Sequence, residues 1–479
     1  MNSGYEMAIG LEVHVELATR TKIFCNCSTE FGCPPNTNIC PVCMGMPGTL
    51  PVLNKEVVNK AIAVGIATNC KIADSFRFDR KNYFYPDNPQ NYQISQLYEP
   101  ICKEGYIEIG SDERTKKIRI HEIHMEEDAG KLIHQDVTGD TLVDYNRAGV
   151  PLIEIVTEPD MSCPEEVNEF LDKLRLCIQY IGASDCKLNE GSMRVDVNLS
   201  VRPSETEKLG TRTEMKNLNS FRAIGHAIEN EAKRQVEIIE SGQAVELETR
   251  RWDEDRQCSY PMRSKEDSKD YRYFPEPDIP PVEVDSDWVK RVKDSMPELR
   301  DEKKVRYKNE YSLPDYDIDI ITGDKRLVDL FETAVSLGAN PKKVSNWIMG
   351  ETLRIIREHN VTDKYIVGSA AGLARVIELV DKGVINGNTG KTVYEQVLVN
   401  QADVDTFIEE NGLKQISDSN TLTEVIREVL TENPQSVTDY QNGKVKAIGF
   451  LVGQTMKKMG GKASPTEVNR ILTELLSNV

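Results

Sequence analysis

Two stretches in which apolar and polar residues alternate strictly constrain the fold most. In the first, Gly10, Glu12, His14 and Glu16 are interleaved with Ile9, Leu11, Val13 and Val15. In the second, Arg194, Asp196, Asn198 and Ser200 are interleaved with Met193, Val195, Val197, Leu199 and Val201. Because successive side chains of a strand point to opposite faces, both stretches predict strands with one buried and one polar face.

Two helical patterns accompany these strands. The first predicted helix opens with a capping box at Ser162 and Glu165. It should bury five apolar residues: Val167, Leu171, Leu174, Ile178 and Ile181. A second helix is predicted from near Ser220 to Gly242. Strands mixed with long helices in no regular βαβ order indicate an α+β fold.

The chain length of 479 residues suits about three domains. Four prolines in "RYFPEPDIPPVEV" exclude a regular helix or a central strand there and mark the rim of the first domain, predicted at 1–292. Residues 293–401 predict a helical domain broken at Pro314 and Pro341, and residues 402–479 predict a small tail domain of short helices.

The net charge of −19 and the pI near 5.0 argue against a generally basic nucleic-acid-binding surface. Any polyanionic partner must therefore meet a local basic patch. No apolar run approaches the roughly 20 residues needed to cross a bilayer, and the first residues lack a secretory signal pattern. We expect a cytoplasmic protein with no membrane partner and no DNA partner.

Five of the eleven cysteines lie within residues 25–43. The two close pairs Cys25-x-Cys27 and Cys40-x-x-Cys43 match the ligand spacing of a four-thiolate zinc site. Such a site leaves no position for substrate, so we predict a structural zinc. The alternative is four reduced cysteines that only pack together, and Cys33 could replace one ligand.

Acidic and imidazole side chains form a second candidate site. Glu12 and His14 share one face of the first strand, and Glu154 interrupts the apolar run "VPLIEIV". The full candidate set is Glu12, His14, Glu126, Glu127, Glu154 and Asp196. Oxygen-rich sets of this kind suit Mg²⁺. A solvated face explains any single member except Glu154, whose burial requires a compensating cation.

The segment "FDRKNYFYPDNPQNYQISQ" combines cations and tyrosines able to hold a nucleotide. No Walker A loop and no GxGxxG motif occurs in the chain, so metal and cationic side chains would have to bind the phosphates. We predict cofactor contacts from Arg80, Lys81, Tyr83 and Arg194.

The stretch from Gln441 to Lys462 carries five lysines and no acid. They are Lys444, Lys446, Lys457, Lys458 and Lys462. In an acidic chain this local reversal of charge predicts contacts with RNA phosphates. The alternative is an ordinary amphipathic helix that packs Ile448, Phe450, Leu451, Val452 and Met456, and both interpretations can hold on opposite faces of one helix.

Seven long motifs carry a resemblance to a known family: "IGLEVHVEL", "CPVCMGMPGTLPVLN", "FDRKNYFYPDNPQNYQISQ", "HMEEDAGK", "DYNRAGVPLIEIVTEPD", "KNLNSF" and "DYRYFPEPD". The chain resembles the GatB/GatE family of tRNA-dependent amidotransferase subunits over nearly its whole length. The length of the second half is similar to the bacterial B-type members. The resemblance implies a glutamine synthetase-like cradle domain, then an all-α helical domain, then a small YqeY-like tail domain.

The resemblance also implies an ATP-dependent ligase. ATP would phosphorylate the side-chain carboxylate of glutamate on tRNA(Gln), or of aspartate on tRNA(Asn), and ammonia would displace the phosphate. By similarity, the six acidic and histidine candidates would hold Mg²⁺, and Lys81 and Tyr83 would lie near the nucleotide. The four cysteines hold zinc in some members of the family and are replaced in others.

The resemblance implies two partner proteins in a heterotrimer. The chain has no "GGSSGGS" amidase signature, so a partner of the A type, an amidase, would release ammonia from glutamine. A small partner of the C type would wrap the pair. Two other classes of function remain open. One is a zinc-stabilised nucleic-acid-binding protein without catalysis, and the other is an ATP-dependent ligase that acts on a free small molecule.

Overall fold

The computed structural model describes residues 4–110, 115–135, 138–262, 270–415, 419–442, 444–460 and 463–477. The chain forms two compact units, with the boundary between Arg300 and Asp301. The first unit holds the strands described below, and the second is helical. This confirms the expected mixture of a sheet-rich first part and a helical second part. The further division of the second unit at residue 401 remains a prediction.

Within the described residues, the first unit is built on a nine-stranded sheet and three smaller sheets. Its sixteen strands, numbered β1 to β16 in chain order, are Tyr5–Glu16, Lys71–Ile72, Ser75–Phe76, Asp79–Asn82, Tyr92–Ser95, Cys102–Ile109, Lys116–Glu127, Lys131–His134, Thr141–Asp144, Pro151–Thr157, Met193–Pro203, Thr213–Leu218, Glu248–Asp253, Cys258–Pro261, Phe274–Pro275 and Val282–Glu283. The large sheet has the order β14-β13-β12-β11-β1-β10-β7-β6-β2. Within it β12 and β13 pair in parallel, and the other neighbours pair antiparallel.

The alternating stretches form the centre of this sheet. β1 lies between β10 and β11, and both pairings are antiparallel. The apolar residues of both stretches are at most 2% exposed, so the predicted buried face is confirmed. Burying whole aliphatic side chains at about 1.5–3 kcal/mol each makes this face the main source of stability in the first unit. The polar residues of both strands therefore point to the opposite face.

Three helices cover the apolar face of the sheet. They are α1 (Lys55–Ala67), α2 (Pro164–Tyr180) and α3 (Phe221–Glu240). Ser220 caps α3, since its hydroxyl oxygen accepts from the backbone N–H of Ala223, which confirms the predicted start.

The prediction that Ser162 and Glu165 form a capping box at the start of α2 is wrong. Ser162 bonds Glu166 instead, one position later in the chain. Cys163 occupies the N-cap position and makes no side-chain capping bond. The backbone N–H and the hydroxyl of Ser162 instead donate to Glu166, at 2.7 and 3.0 Å. Pro164 favours the first helical position, where its missing N–H costs nothing, and so moves the helix start past Ser162. Four of the five predicted apolar residues are fully buried, and Ile181 caps the helix half-buried.

The proline-rich segment forms no helix and no central strand, as predicted, and its two short strands lie at sheet edges. Phe274–Pro275 pairs with β4 in a three-stranded sheet of order β15-β4-β5, and Val282–Glu283 pairs with β3. α4 (Ser286–Ser295) follows and packs on α1.

The second unit consists of helices. Those before its tail are α5 to α13: Arg300–Tyr311, Asp315–Thr322, Lys325–Ser336, Pro341–Trp347, Leu353–Glu358, Asp363–Gly368, Ala370–Asp381, Gly387–Asn400 and Val404–Glu410. A π-helical turn, Ile348–Thr352, joins α8 to α9. Pro314 and Pro341 stand at helix starts, as the predicted breaks require.

Four further helices share a separate apolar core near the end of the chain. They are α14 (Ser419–Glu432), α15 (Pro434–Gln441), α16 (Ala447–Lys458) and α17 (Pro465–Ser477). In the described part of the chain, no helix is both long and apolar enough to cross a lipid bilayer.

Candidate active site and metal centres

Strand register brings three of the candidate residues together on the polar face of the large sheet. His14 on β1 pairs with Glu154 on β10, and Glu154 pairs with His124 on β7. His14 Nε2 lies 3.5 Å from Glu154 Oε2 and 3.6 Å from Glu126 Oε1. His14, Glu126 and Glu154 each offer one ligand atom within 4.8 Å of the others, which suits one metal ion. We call these three residues the first cluster.

The imidazoles explain how Glu154 stays ionised while mostly buried. Burial alone would raise the pKa of Glu154, but hydrogen bonds and charges from His124 and His14 lower it strongly. Burial alone would likewise lower the pKa of His124, but Glu122 and Glu154 raise it to about 10. The pKa of His14 is also raised, because Glu154 and Glu126 outweigh its burial. A bound divalent cation would take the place of the imidazole protons.

A second cluster includes Glu12, which lies two residues before His14 on β1. Glu12 is opposite Asp196 on β11, and Glu214 on β12 completes a group whose carboxylate oxygens lie within 4.8 Å of one another. Lys216 also belongs here, since its Nζ is 2.5 Å from Asp196 Oδ2 and 2.8 Å from Glu214 Oε1. We call Glu12, Asp196 and Glu214 the second cluster.

Glu214 and Lys216 were missed at the level of sequence. Alternation at the start of "TEMKNL", where Thr213 and Met215 are buried and Glu214 and Lys216 are half-buried, was the available signal. That segment is short and contains a single acid, so its sequence alone does not predict a metal ligand.

Glu127 belongs to neither cluster. Its carboxylate accepts from Gln90 Nε2 at 3.1 Å and from the backbone N–H of Ile94 at 2.9 Å. Burial raises its pKa to about 8. Glu127 also lines a cavity of about 210 Å³, whose other walls include Lys22, Cys43 and Gln90. The structure thus divides the six predicted magnesium residues into two clusters and one separate carboxyl group.

Arg194 is opposite His14 in the sheet, so it lies beside the first cluster. Its guanidinium donates to Asp128 Oδ2 at 2.9 Å. Asp128 is 6% exposed and also faces Arg147, at 3.3 Å. Arg194 therefore has a fixed position at the edge of the site.

The predicted nucleotide-binding residues have different surroundings. Arg80 makes a two-pronged ion pair with Glu276, and one nitrogen also contacts Asp278 at 3.0 Å. Lys81 Nζ lies 5.0 Å from the ring centre of Tyr271. Arg80 is thus engaged with the proline-rich segment, whereas Lys81 presents its charge beside an aromatic ring.

Tyr83, Tyr271 and Tyr273 form a row of edge-to-face rings, with centres 6.1 and 6.2 Å apart. Burial first, and then nearby carboxylates including Glu126, raise the pKa of Tyr83 and of Tyr273. Glu126 of the first cluster is therefore among the charged neighbours of Tyr83, and the predicted contact of Tyr83 with a nucleotide remains a prediction.

The four predicted zinc cysteines converge. Cys43 Sγ lies 4.0 Å from Cys27 Sγ and 3.9 Å from Cys40 Sγ, and all four sulfurs lie within 4.8 Å of one another. Tetrahedral zinc with Zn–S bonds of about 2.3 Å requires sulfurs about 3.8 Å apart, so the residues fit zinc. Cys33 is not in this group. A hydrogen bond from Cys25 lowers the pKa of the Cys43 thiol to about 5, and the same contact together with burial raises the pKa of the Cys25 thiol.

Lys22 is a further residue that sequence reasoning missed. It is fully buried, and its Nζ lies 3.6 Å from Cys43 Sγ and 3.4 Å from the carbonyl oxygen of Tyr145. A buried ammonium beside a thiolate group offsets part of its negative charge.

In the second unit, two of the predicted RNA-binding lysines are already paired. Lys458 contacts Glu428 at 2.9 Å and Glu432 at 2.7 Å, and Lys444 contacts Asp439 at 3.0 Å. These acids come from α14 and α15, outside the acid-free stretch.

The remaining predicted RNA-binding lysines are Lys446, Lys457 and Lys462. Lys446 and Lys457 are exposed, and no ion pair involves either of them within the described residues. Lys462 lies outside the described residues. Phe450 is 49% exposed, so its predicted packing is wrong, whereas Leu451 is fully buried and Ile448, Val452 and Met456 pack on the core.

Comparisons with known proteins match both units. A profile described as "GatB/GatE catalytic domain" matches residues 7–290, and one described as "GatB domain" matches residues 329–476. The chain belongs to the GatB/GatE family. The family resemblance is therefore confirmed, and the first profile contains both clusters and the four cysteines.

Curated relatives in the GatB/GatE family are similar over their whole lengths. The B subunit of the aspartyl/glutamyl-tRNA(Asn/Gln) amidotransferase from Agathobacter rectalis is 58% identical over 472 residues, which covers 98% of this chain and 99% of that protein. The protein of the same name from Lachnoclostridium phytofermentans is 58% identical over 473 residues, which covers 99% of each. The one from Thermoanaerobacter pseudethanolicus is 52% identical over 473 residues, again 99% of each.

Proposed function

We propose that this chain is the kinase and transamidase component of a tRNA-dependent amidotransferase. Its substrate would be glutamate attached to tRNA(Gln), aspartate attached to tRNA(Asn), or both. The observation that carries the proposal is the convergence of His14, Glu126 and Glu154 on one sheet face, beside a second carboxylate cluster. The names of the GatB/GatE relatives described above support the same reaction class.

The proposed reaction has two steps. First, a side-chain carboxylate oxygen of the aminoacyl group attacks the terminal phosphorus of ATP, and ADP leaves. Ammonia then attacks the activated acyl carbon, and inorganic phosphate leaves as the amide forms. Both reactants of the first step are anions, and Mg²⁺ bound at the clusters would screen their repulsion.

The position of each residue on the sheet would decide whether it binds a metal ion or the nucleotide. The first cluster and the second cluster would each hold one divalent ion, with Glu214 added to the predicted ligands. Lys81 and Tyr83 would contact the nucleotide, and Arg194 would direct its charge to the phosphates from beside His14. Glu127 would stand apart from metal binding, because Gln90 and the backbone N–H of Ile94 hold its carboxylate outside both clusters.

We propose a structural zinc at the four cysteines, because the sulfur spacing fits zinc and leaves no open coordination position. We further propose that tRNA binds the tail domain through its lysines. Ammonia would come from a partner amidase of the A type, within a heterotrimer that also contains a small partner of the C type. The proposed glutamine synthetase-like cradle and the proposed cytoplasmic location rest on the family resemblance.

Replacement of Glu154 by glutamine tests the proposal. The amide keeps the shape but removes the charge that a metal ion requires, so we expect ATP-dependent amidation of mischarged tRNA to fall about 100-fold or more. Glu158→Gln is the matched control, because Glu158 lies just beyond the same strand and pairs with exposed His121. Near-normal amidation by Glu154→Gln would rule out the metal-binding role.

ATP hydrolysis separates the three classes of function. The amidotransferase predicts hydrolysis that requires mischarged tRNA. A ligase for a free small molecule predicts hydrolysis without tRNA, and an RNA-binding protein predicts none.

A further inference from the structure

Lys22 is a fully buried lysine that lies between β1 and the four cysteines proposed to bind zinc. Its Nζ lies 3.6 Å from Cys43 Sγ and 3.4 Å from the carbonyl oxygen of Tyr145. Among the residues that the structure describes, no carboxylate lies within ion-pair distance of this ammonium. A buried ammonium without a counter-charge is strongly unfavourable, so the Cys43 sulfur is the anion that Lys22 requires.

Glu127 lines the same cavity as Lys22 but has other partners. Its carboxylate accepts from Gln90 Nε2 at 3.1 Å and from the backbone N–H of Ile94 at 2.9 Å. The Glu127 carboxylate is therefore directed to these two donors, and the ammonium of Lys22 contacts the zinc group instead.

Cys43 is the cysteine of the zinc group whose charge water screens least. It is 6% exposed, whereas Cys25, Cys27 and Cys40 are half-buried. A Zn²⁺ ion with four thiolates carries two net negative charges, and a poorly hydrated charge needs compensation. The backbone N–H of Cys40 also donates to Cys43 Sγ, at 3.2 Å. Two donors therefore converge on the most buried sulfur of the group.

Backbone contacts fix the position of the Lys22 side chain. The backbone N–H of Lys22 donates to the carbonyl oxygen of Cys27 at 3.0 Å, and that of Ile23 donates to Gly149 at 3.0 Å. A side chain at Gly149 would begin 3.4 Å from Lys22 Cδ and 3.6 Å from Cys43 Cβ. Gly149 therefore closes over the lysine stem and confines the ammonium beside the Cys43 sulfur.

We propose that Lys22 is a positioning residue of the zinc group, whose ammonium holds the Cys43 thiolate towards the metal and lowers the reactivity of that sulfur. This inference rests on the proposed zinc site and does not depend on the proposed amidation. A positive charge beside the cysteines favours metal binding, because the metal-bound thiolates carry more negative charge than protonated thiols. The same charge stabilises the lone pairs of the sulfur, which makes it a weaker nucleophile.

The experiment uses the full-length chain in its assembled complex, loaded with Co²⁺ or with Zn²⁺. Only thiolate-bound Co²⁺ gives a sulfur-to-cobalt charge-transfer band, so ions bound at carboxylates do not interfere. Competition with a chelator measures Co²⁺ affinity through this band. Iodoacetamide is then added to the zinc-loaded protein, and mass spectrometry identifies the alkylated cysteines.

The variants are Lys22→Met, which removes the charge, and Lys22→Arg, which keeps it. Lys60→Met is the matched control, because Lys60 is a half-buried lysine on α1 whose Nζ donates to the carbonyl oxygen of Gly182 at 2.7 Å and contacts no cysteine.

We expect Lys22→Met to bind Co²⁺ about tenfold more weakly, the usual size of effect for a residue that contacts a metal ligand. Its charge-transfer band should move to longer wavelength, because the sulfur electrons are less strongly held, while the ligand-field bands keep their tetrahedral pattern. Alkylation of zinc-bound Cys43 should be several-fold faster. Lys22→Arg should keep the band position, and Lys60→Met should match the unaltered protein in all three measurements.

The outcomes separate this inference from the proposed zinc site. If the unaltered protein gave no charge-transfer band and held no zinc, both would fail, and the proposed amidation would be unaffected. A bound metal with unchanged affinity, band and alkylation in Lys22→Met would overturn only the role of Lys22. Loss of the tetrahedral pattern in Lys22→Met would show a role in packing and would also overturn it. Should Lys22→Met not fold, Lys22→Gln, which keeps a donor without the charge, is judged by the same measurements.

Discussion

At the scale of single residues, the ionisation and the contacts of a charged side chain depend on its neighbours. Glu154 is ionised because two imidazoles face it, whereas burial raises the pKa of Glu127 to about 8. Arg80 and Lys81 are adjacent in sequence, yet Arg80 is bound to Glu276 and Lys81 stacks over Tyr271. Neighbours brought in from distant segments therefore decide which charges are available to a ligand.

Arg80→Met tests whether Arg80 supports the fold rather than the nucleotide. Glu276 has a fully buried side chain, and removing its partner leaves an unpaired charge. We expect a loss of about 3 kcal/mol in the free energy of unfolding, measured by urea denaturation.

Arg119→Met is the control for Arg80→Met. Arg119 also makes a two-pronged pair, with Asp160, but its side chain is 65% exposed, so its loss should cost less than about 1 kcal/mol. A second substitution, Glu276→Gln, should recover part of the stability lost in Arg80→Met. Normal stability with reduced ATP affinity in Arg80→Met would instead make Arg80 a nucleotide contact.

At the scale of elements, the residue at which a helix starts depends on a few local hydrogen bonds. Ser220 caps α3 through Ala223, whereas Ser162 lies one residue before the N-cap of α2 and bonds Glu166. The two serines look alike in sequence and differ in role, because Pro164 fixes the start of α2.

Ser220→Ala should lower the free energy of unfolding by about 1 kcal/mol, because the N–H of Ala223 loses its acceptor. Thermal or urea unfolding measures the change. Ser162→Ala should cost less, since the backbone N–H of Ser162 still donates to Glu166. Equal losses in the two variants would contradict the different capping roles.

The cysteine element makes a separate prediction. Cys40→Ser combined with Cys43→Ser removes two thiolates, so zinc measured by atomic emission should fall from about one ion per chain to nearly none. Cys33→Ser should keep its zinc, because the Cys33 sulfur is outside the converging group. Undiminished zinc in the double variant would refute the site.

At the scale of the whole molecule, the two units have different chemistry. The first unit carries the carboxylate clusters and the cysteines, and the second carries the lysines near the end of the chain. An overall charge of −19 confines favourable contact with RNA to local patches. Ion pairs engage Lys444 and Lys458. Among the described lysines of the predicted tRNA-binding stretch, this leaves Lys446 and Lys457 available to RNA phosphates.

Lys446→Ala combined with Lys457→Ala should therefore weaken tRNA binding more than Lys444→Ala combined with Lys458→Ala. We expect about a tenfold loss, and a fall of about two in the slope of log affinity against log salt. Filter binding at several salt concentrations measures both.

A chain that ends at residue 401 is the reference for these lysine variants. It should lose more tRNA affinity and still bind Mn²⁺, since both clusters lie in the first unit. Unchanged tRNA affinity in this shorter chain would remove the tail from the proposed interface.

Several features could be predicted from the sequence because they depend on local spacing. Alternation along β1 and β11 sets which side chains are buried, and the cysteine spacing sets which four sulfurs converge. A central strand could be excluded for the proline-rich segment, because proline cannot donate to a sheet.

Other features were decided only by tertiary structure. Strand order and register separate the acids into two clusters, since side chains far apart in sequence meet only when β1 lies between β10 and β11. Glu214 and Lys216 join the second cluster in the same way. Sequence by itself determined the residue types and faces available for metal chemistry. Packing determined which charges meet, because electrostatic pairing depends on distances of a few ångströms that no linear pattern specifies.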